Sequence, residues 1–248
     1  MPLRLEAPPS RWLMPAAWLG LLLLAGWAMP LAEPLWQWLA PDARQLVYQR
    51  AAFLTLLGRH ALTVGLAAAI TVSLGLAAGI AVTRAAGRDF LPLVAQLASL
   101  GQTFPPVAVL ALAVPALGFG LFPIVVALSL YGLLPVVRNT IAGLKGVDAA
   151  AITAARGVGM TAGQRLWQVE LPLAAPVILA GVRTSITINI ATAALGATVG
   201  ASNLGDPIIA GIVNGNTAYV VQGTVMIALL ALSVDSLFSV WQQRMRRT

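Results

Sequence analysis

Residues 146–176 read GVDAAAITAARGVGMTAGQRLWQVELPLAAP, a polar, glycine-bearing stretch set between two apolar runs. Before it, residues 90–137 carry no charge; after it, residues 184–205 and 207–234 carry none. Residues 12–32 and 61–83 are also uncharged. The chain of 248 residues is 59% hydrophobic and only 9% charged. A soluble domain carries about 25% charged residues. Here there is too little charge to cover a water-facing surface, so a lipid bilayer is the natural solvent. Crossing it takes about 20 apolar residues per helix. The uncharged runs therefore predict an all-α membrane protein of about six transmembrane helices, near 13–32, 61–83, 91–116, 121–138, 177–200 and 218–240. The run 90–137 holds two of them, divided at Gly118-Phe119-Gly120 with Pro123 beyond.

The formal net charge is +7. Its cations sit at the ends of apolar runs and form no basic face, which argues for cytoplasmic loops and against nucleic acid. Threading six spans from an inside N-terminus puts Arg4, Arg11, Arg84, Arg88, Arg138, Lys145, Arg156, Arg165, Arg183, Arg244, Arg246 and Arg247 inside. Only Arg44, Arg50 and Arg59 fall outside. Twelve against three predicts both termini in the cytoplasm. Trp12, Trp36, Trp38 and Trp241 then lie near helix ends, where indole rings prefer to sit. Residues 33–60 become a periplasmic loop. The first apolar run is longer than a signal-peptide core and no clear A-x-A site follows it, so it is expected to stay as a span.

The composition excludes several functions. Without cysteine there is no disulfide or thiolate metal site. A single histidine, His60, argues against a histidine metal site. Eight acids scattered along the chain make no catalytic cluster. No Gly-x4-Gly-Lys-Ser/Thr phosphate loop is present.

Residues 139–176 form the predicted loop between the fourth and fifth spans, and its spacing is helical. Asp148 can cap a helix through residues 149–155. Gly157 and Gly159 interrupt it. Thr161 and Gln164 then have capping-box spacing for a second short helix through residues 165–169. Pro172 and Pro176 are expected to end that helix and open the next span. Two short helices joined by glycines make a knob on the cytoplasmic side. A partner-docking surface and an ordinary interfacial helix pair both fit this spacing.

The stretch resembles the Glu-Ala-Ala motif of the permeases of ABC importers: Glu-Ala-Ala, three residues, Gly, nine residues, Ile-x-Leu-Pro. Here it reads Thr153-Ala154-Ala155, then Gly159, then Val169-Glu170-Leu171-Pro172. Thr153 stands where the family has glutamate. The likeness runs over about residues 58–240. Gly101-Gln102-Thr103-Phe104-Pro105-Pro106, Leu130-Tyr131-Gly132-Leu133-Leu134-Pro135 and Gly200-Ala201-Ser202-Asn203-Leu204-Gly205-Asp206 are similar to osmoprotectant permeases of the glycine betaine and choline group, nearest the Yeh type. The resemblance implies a type I importer permease fold in the bacterial inner membrane. It implies residues 1–57 as an N-terminal helix and periplasmic loop, 58–243 as the transmembrane domain, and 244–248 as a basic cytoplasmic tail. The implied partners are a cytoplasmic ATP-binding subunit, a second permease subunit (homologous or identical) and a periplasmic solute-binding protein, with no cofactor in this chain. Thr153, Ala154, Ala155, Gly157, Gly159, Met160, Thr161, Gln164, Glu170, Leu171 and Pro172 are implied to couple ATP hydrolysis elsewhere to movement here. A permease for another small polar solute, such as an amino acid, and an ion-coupled transporter are the alternative readings.

Polar groups for a translocation pathway are few: Gln102, Thr103, Asn189, Thr187, Thr192 and Thr198, with Phe104 beside a helix break expected at Pro105-Pro106. Neutral dipoles and aromatic faces suit a quaternary ammonium solute. Hydroxyls bonded to their own helix and amides joining neighbouring helices explain the same residues without a pathway. Asp235 is expected near the membrane boundary, beside Arg84 or Arg183. Gly75 and Gly79 have the spacing for close helix packing. Asn203 to Pro207 are expected to cap a short outer helix ahead of Asn214-Gly215-Asn216, serving as a gate, a docking surface or a re-entrant connection.

Overall fold

The computed structural model describes residues 11–245. Arg4, Arg246 and Arg247 of the charge count, and most of the tail 244–248, lie outside the described residues. Eleven α-helices are described: α1 (Leu13–Ala28), α2 (Glu33–Leu39), α3 (Phe53–Thr83), α4 (Leu91–Thr103), α5 (Pro106–Leu117), α6 (Leu121–Lys145), α7 (Ala149–Gly157), α8 (Ala162–Arg165), α9 (Leu171–Thr192), α10 (Gly205–Asn214) and α11 (Thr217–Met245). No strand occurs among the described residues.

Five stretches are long and apolar enough to cross a membrane: Leu13–Leu39, Phe53–Thr83, Leu121–Lys145, Ala162–Val199 and Thr217–Met245. The expected third span is a broken pair, α4 and α5, bent by 95°. The break falls at Phe104-Pro105, as the proline pair requires: Pro106 lacks the N–H that would continue α4.

Helix ends differ from the sequence expectation where a polar residue lies inside a helix. The α3 helix begins at Phe53, eight residues before position 61, because His60 is buried and its Nε2–H donates to the Ile190 carbonyl at 2.9 Å. The α6 helix runs on past Arg138 to Lys145. At about 1.5 Å per residue its 25 residues outreach a hydrocarbon core of about 30 Å, so its polar end stands clear of the lipid. The first span likewise continues through a 3₁₀ turn at Met29–Ala32 into α2.

The α6 helix is the hub of the bundle, packed by α3, α9, α4 and α5, while α11 packs against α1, α9 and α10. Water expulsion does not drive helix pairing in lipid, so close backbone approach has to. A Cβ on Gly75 would lie 2.6 Å from Val136 Cγ1, and one on Gly79 would lie 2.6 Å from Thr140 Cγ2. The two glycines thus seat α3 against α6 inside the chain. Large apolar residues such as Leu62 and Leu74 are exposed and form a surface suited to acyl chains.

At the end away from the 146–170 stretch, residues 40–52 strap the bundle. Tyr48 N–H donates to Gln222 Oε1 at 3.1 Å, Gln222 Nε2 to the Leu46 carbonyl at 2.6 Å, and Asn216 Nδ2 to the Gln45 carbonyl at 2.7 Å. The short helix α10 sits beside this strap. Its entry is fixed as the sequence suggested: Gly205 N–H donates to Asn203 Oδ1, and Asp206 accepts from Ser202 Oγ and Asn203 N–H.

Candidate coupling knob and polar interior

The knob is built by local chemistry. Asp148 Oδ1 accepts the Ala150 N–H at 2.8 Å and starts α7. At the other end Met160 N–H donates to the Ala155 carbonyl at 3.1 Å and Gly159 N–H to the Arg156 carbonyl at 3.0 Å. This paired closure needs a left-handed residue, and Gly159 supplies it with φ +80°. Gly157 is the last residue of α7. Thr161 and Gln164 then form the full capping box: Gln164 N–H to Thr161 Oγ1 at 3.3 Å, and Thr161 N–H to Gln164 Oε1 at 2.9 Å.

The expected stop at Pro172 does not occur. A π-helical turn over Leu166–Glu170 carries α8 straight into α9. With the wider turn and the Leu171 N–H bonded to the Leu166 carbonyl, Pro172 falls in the first turn of α9, where a missing N–H breaks nothing. Pro176 sits inside α9 without ending it.

Apolar contacts anchor the knob to the bundle. Leu144, Val147, Ala174 and Ile178 form a small core, packed by Leu76, Ile80, Ile152, Leu166 and Leu171. Ala155 is buried, while Ala154 and Thr153 face outward. Thr153 Oγ1 donates back to the Ala149 carbonyl at 2.9 Å.

Charge makes the second anchor. Glu170 is 4% exposed. Its Oε2 lies 2.7 Å from Arg84 Nη1, and its Oε1 lies 2.8 Å from Arg165 Nε. One carboxylate thus ties the end of α3 to the knob. Arg84 is therefore not the partner of Asp235. That role falls to Arg183, which grips both carboxylate oxygens at 2.6 Å and donates from Nη1 to Gln242 at 3.0 Å, fastening α9 to α11.

The pathway residues fall into two groups along α6, one at Tyr131 and one at Gly132. Pro135 has no N–H to give the Tyr131 carbonyl, and Gln102 Nε2 takes that carbonyl at 2.9 Å. Tyr131 OH in turn donates to the Phe104 carbonyl at the α4–α5 break. Phe104 is exposed and borders an open apolar depression with Val109, Leu112, Ala113 and Leu130. Thr103 and Thr192 bond back to their own helices, to the Leu100 and Ile188 carbonyls at 2.9 Å. Asn189 lies apart from Gln102. It is fully buried, one turn from Ser185, and both crowd the bare Cα of Gly132: a Cβ there would meet Ser185 Oγ at 2.4 Å and Asn189 Nδ2 at 3.0 Å. Ser185 Oγ and both ends of the Asn189 amide have no hydrogen-bond partner among the described residues. Ser185 and Thr71, whose Cγ2 is also 3.0 Å from that point, were not legible as members of this group. The Ser185–Asn189 spacing of one helical turn was the signal available.

A helical bundle with a lipid-facing surface, a polar knot at its centre and a knob projecting from one end is a membrane transport component. The chain belongs to the family described as the binding-protein-dependent transport system inner membrane component, whose sequence model matches residues 72–247. It is 43% identical over 187 residues to the osmoprotectant import permease protein OsmY of Salmonella typhimurium, covering 75% of this chain and 79% of that one. It is 34% identical over 187 residues to the glycine betaine/carnitine/choline transport system permease protein OpuCB of Bacillus subtilis, covering 75% and 85%. Among solved structures, an inward-facing conformation of the MetNI methionine ABC transporter shares the fold, with TM-score 0.69, 20% identity and coverage of 78% of this chain and 95% of that one. The chain is thus an inner-membrane permease subunit, and the expected fold of about six membrane helices stands, with five unbroken spans and the bent pair α4–α5 among the described residues.

Proposed function

We propose that this permease imports osmoprotectants of the quaternary ammonium class (glycine betaine, choline or carnitine) by alternating access driven by ATP. ATP is bound by a separate cytoplasmic subunit, and solute is delivered by a periplasmic binding protein. A second permease subunit, homologous or identical, completes the path. Both termini lie in the cytoplasm, as the twelve-to-three distribution of cations favours.

The observation that carries this reading is the knob. Caps fix both of its helices, and Glu170 and a small apolar core lock it to α3, α6 and α9. A push on the knob therefore moves the ends of three helices that meet again at Gly132. Residues 153–172 transmit the stroke, and the polar knot at Asn189 lies where the moving helices cross. The relatives' printed substrates support the solute class. A bulky methylated cation is served by an apolar wall such as that at Phe104, without a buried counter-charge.

The test is uptake into proteoliposomes holding the whole transporter, with a panel of glycine betaine, choline, carnitine, methionine and histidine. Uptake of a quaternary amine that needs internal ATP and ignores an uncoupler is the expected result. Uptake of amino acids alone overturns the solute class. Uptake abolished by the uncoupler at constant ATP overturns the ATP-driven reading.

A further inference from the structure

Both carboxylates in residues 139–176 are engaged within the chain. Asp148 caps α7 at 2.8 Å, and Glu170 is buried between Arg84 and Arg165. The Thr153 hydroxyl is turned back to the Ala149 carbonyl. At the same end of the bundle, Asp89 lies 4.0 Å from Arg88. What the knob leaves free is of the other sign. Lys145 precedes α7 and Arg156 closes it; both are exposed, and neither has an ion pair or a side-chain hydrogen bond among the described residues. Around them Val158 is 75% exposed and Trp167 70% exposed. Arg156 stands three residues after Thr153, so the two are neighbours on one face of α7.

We propose that the knob docks as a cation: its groove on the nucleotide-binding subunit has an apolar floor for Val158 and Trp167 and carboxylates set against Arg156 and Lys145. This rests on the coupling reading above and adds the sign of the contact. Where a carboxylate at position 153 would draw a basic groove, this chain selects an acidic one. Complementary charge at an interface steers encounter and rejects partners of the wrong sign. The knob therefore selects among ATP-binding subunits by charge.

The experiment uses the assembled membrane part in nanodiscs and its ATP-binding subunit. The chain has no cysteine, so Val158→Cys carries a photo-crosslinker at a unique site. Affinity for the ATP-binding subunit is measured at several salt concentrations for the wild type, Arg156→Glu, Arg156→Lys and Thr153→Glu. All three substitutions lie on an exposed helix face and leave the buried anchors intact. The expected result is a crosslink to the ATP-binding subunit, wild-type affinity that falls with salt, and a loss of about tenfold or more in Arg156→Glu and Thr153→Glu, with Arg156→Lys near wild type. A crosslink together with unchanged affinity in Arg156→Glu, or tighter binding by Thr153→Glu, overturns the sign of the contact and leaves the coupling reading standing. Absence of the crosslink in an assembled complex overturns both.

Discussion

Glutamine in place of Glu170 isolates the charge that binds the knob to the bundle. The change keeps the side chain's volume and one carbonyl oxygen. It removes the negative charge and turns the second oxygen into a donor, which no guanidinium can accept. Arg84 and Arg165 are then left together around a site only 4% exposed. Removing one partner of a buried ion pair costs about 3–5 kcal/mol. The Arg84 side chain is 30% exposed and the Arg165 side chain 16%, so Arg84 can turn toward water, which lowers the figure to about 2–3 kcal/mol. At about 2–4 °C per kcal/mol for a chain of this size, melting falls by about 4–12 °C. Arg84→Ala leaves Glu170 paired with Arg165 and costs about 1 kcal/mol. Tryptophan fluorescence of the purified chain during a thermal ramp reads both. Equal melting of Glu170→Gln and wild type, or a larger loss in Arg84→Ala than in Glu170→Gln, refutes the clamp.

Gly132→Ala drives a methyl to 2.4 Å from Ser185 Oγ and destabilises by about 1–3 kcal/mol; adding Ser185→Ala recovers most of the loss, and failure to recover it removes the contact from the account. Gln102→Leu strands the Tyr131 carbonyl and costs about 1–3 kcal/mol; adding Pro135→Ala returns the helical N–H and narrows that loss, as parallel melting curves will show. Asp148→Ala removes the α7 cap and costs about 1 kcal/mol locally, seen as faster hydrogen exchange confined to residues 149–157.

Local chemistry was legible in the sequence, and contacts between distant residues were not. The Asp148 cap and the Thr161–Gln164 box depend on residues two or three apart, so their spacing revealed them. The break at Pro105-Pro106 followed from missing donors, but the 95° bend depends on how α5 packs against α6. His60 misleads the boundary of α3 because a polar side chain within a span reads as its end, whereas here a carbonyl 130 residues away accepts its Nε2–H. Pro172 misleads in the same way, since a π-turn shifts the register and makes the proline harmless. Polarity alone groups Gln102 with Asn189. The fold sets the two at Tyr131 and Gly132 along α6 and gives Gln102 the task of replacing a donor that Pro135 lacks. The Glu170 clamp joins positions 84 and 170, and no spacing rule relates them.

In the proposed mechanism the capped knob at residues 146–170 delivers the work of ATP to the helices. Gly159→Val tests it most directly, because a β-branched residue cannot hold φ +80° and the closure of α7 is lost, while no atom of the bundle lies within 4 Å of the new Cβ. ATP-driven uptake of glycine betaine is measured in proteoliposomes with equal amounts of inserted wild-type and variant transporter. The variant is expected to keep the melting temperature of the bundle and to lose uptake. Wild-type uptake by Gly159→Val would contradict it.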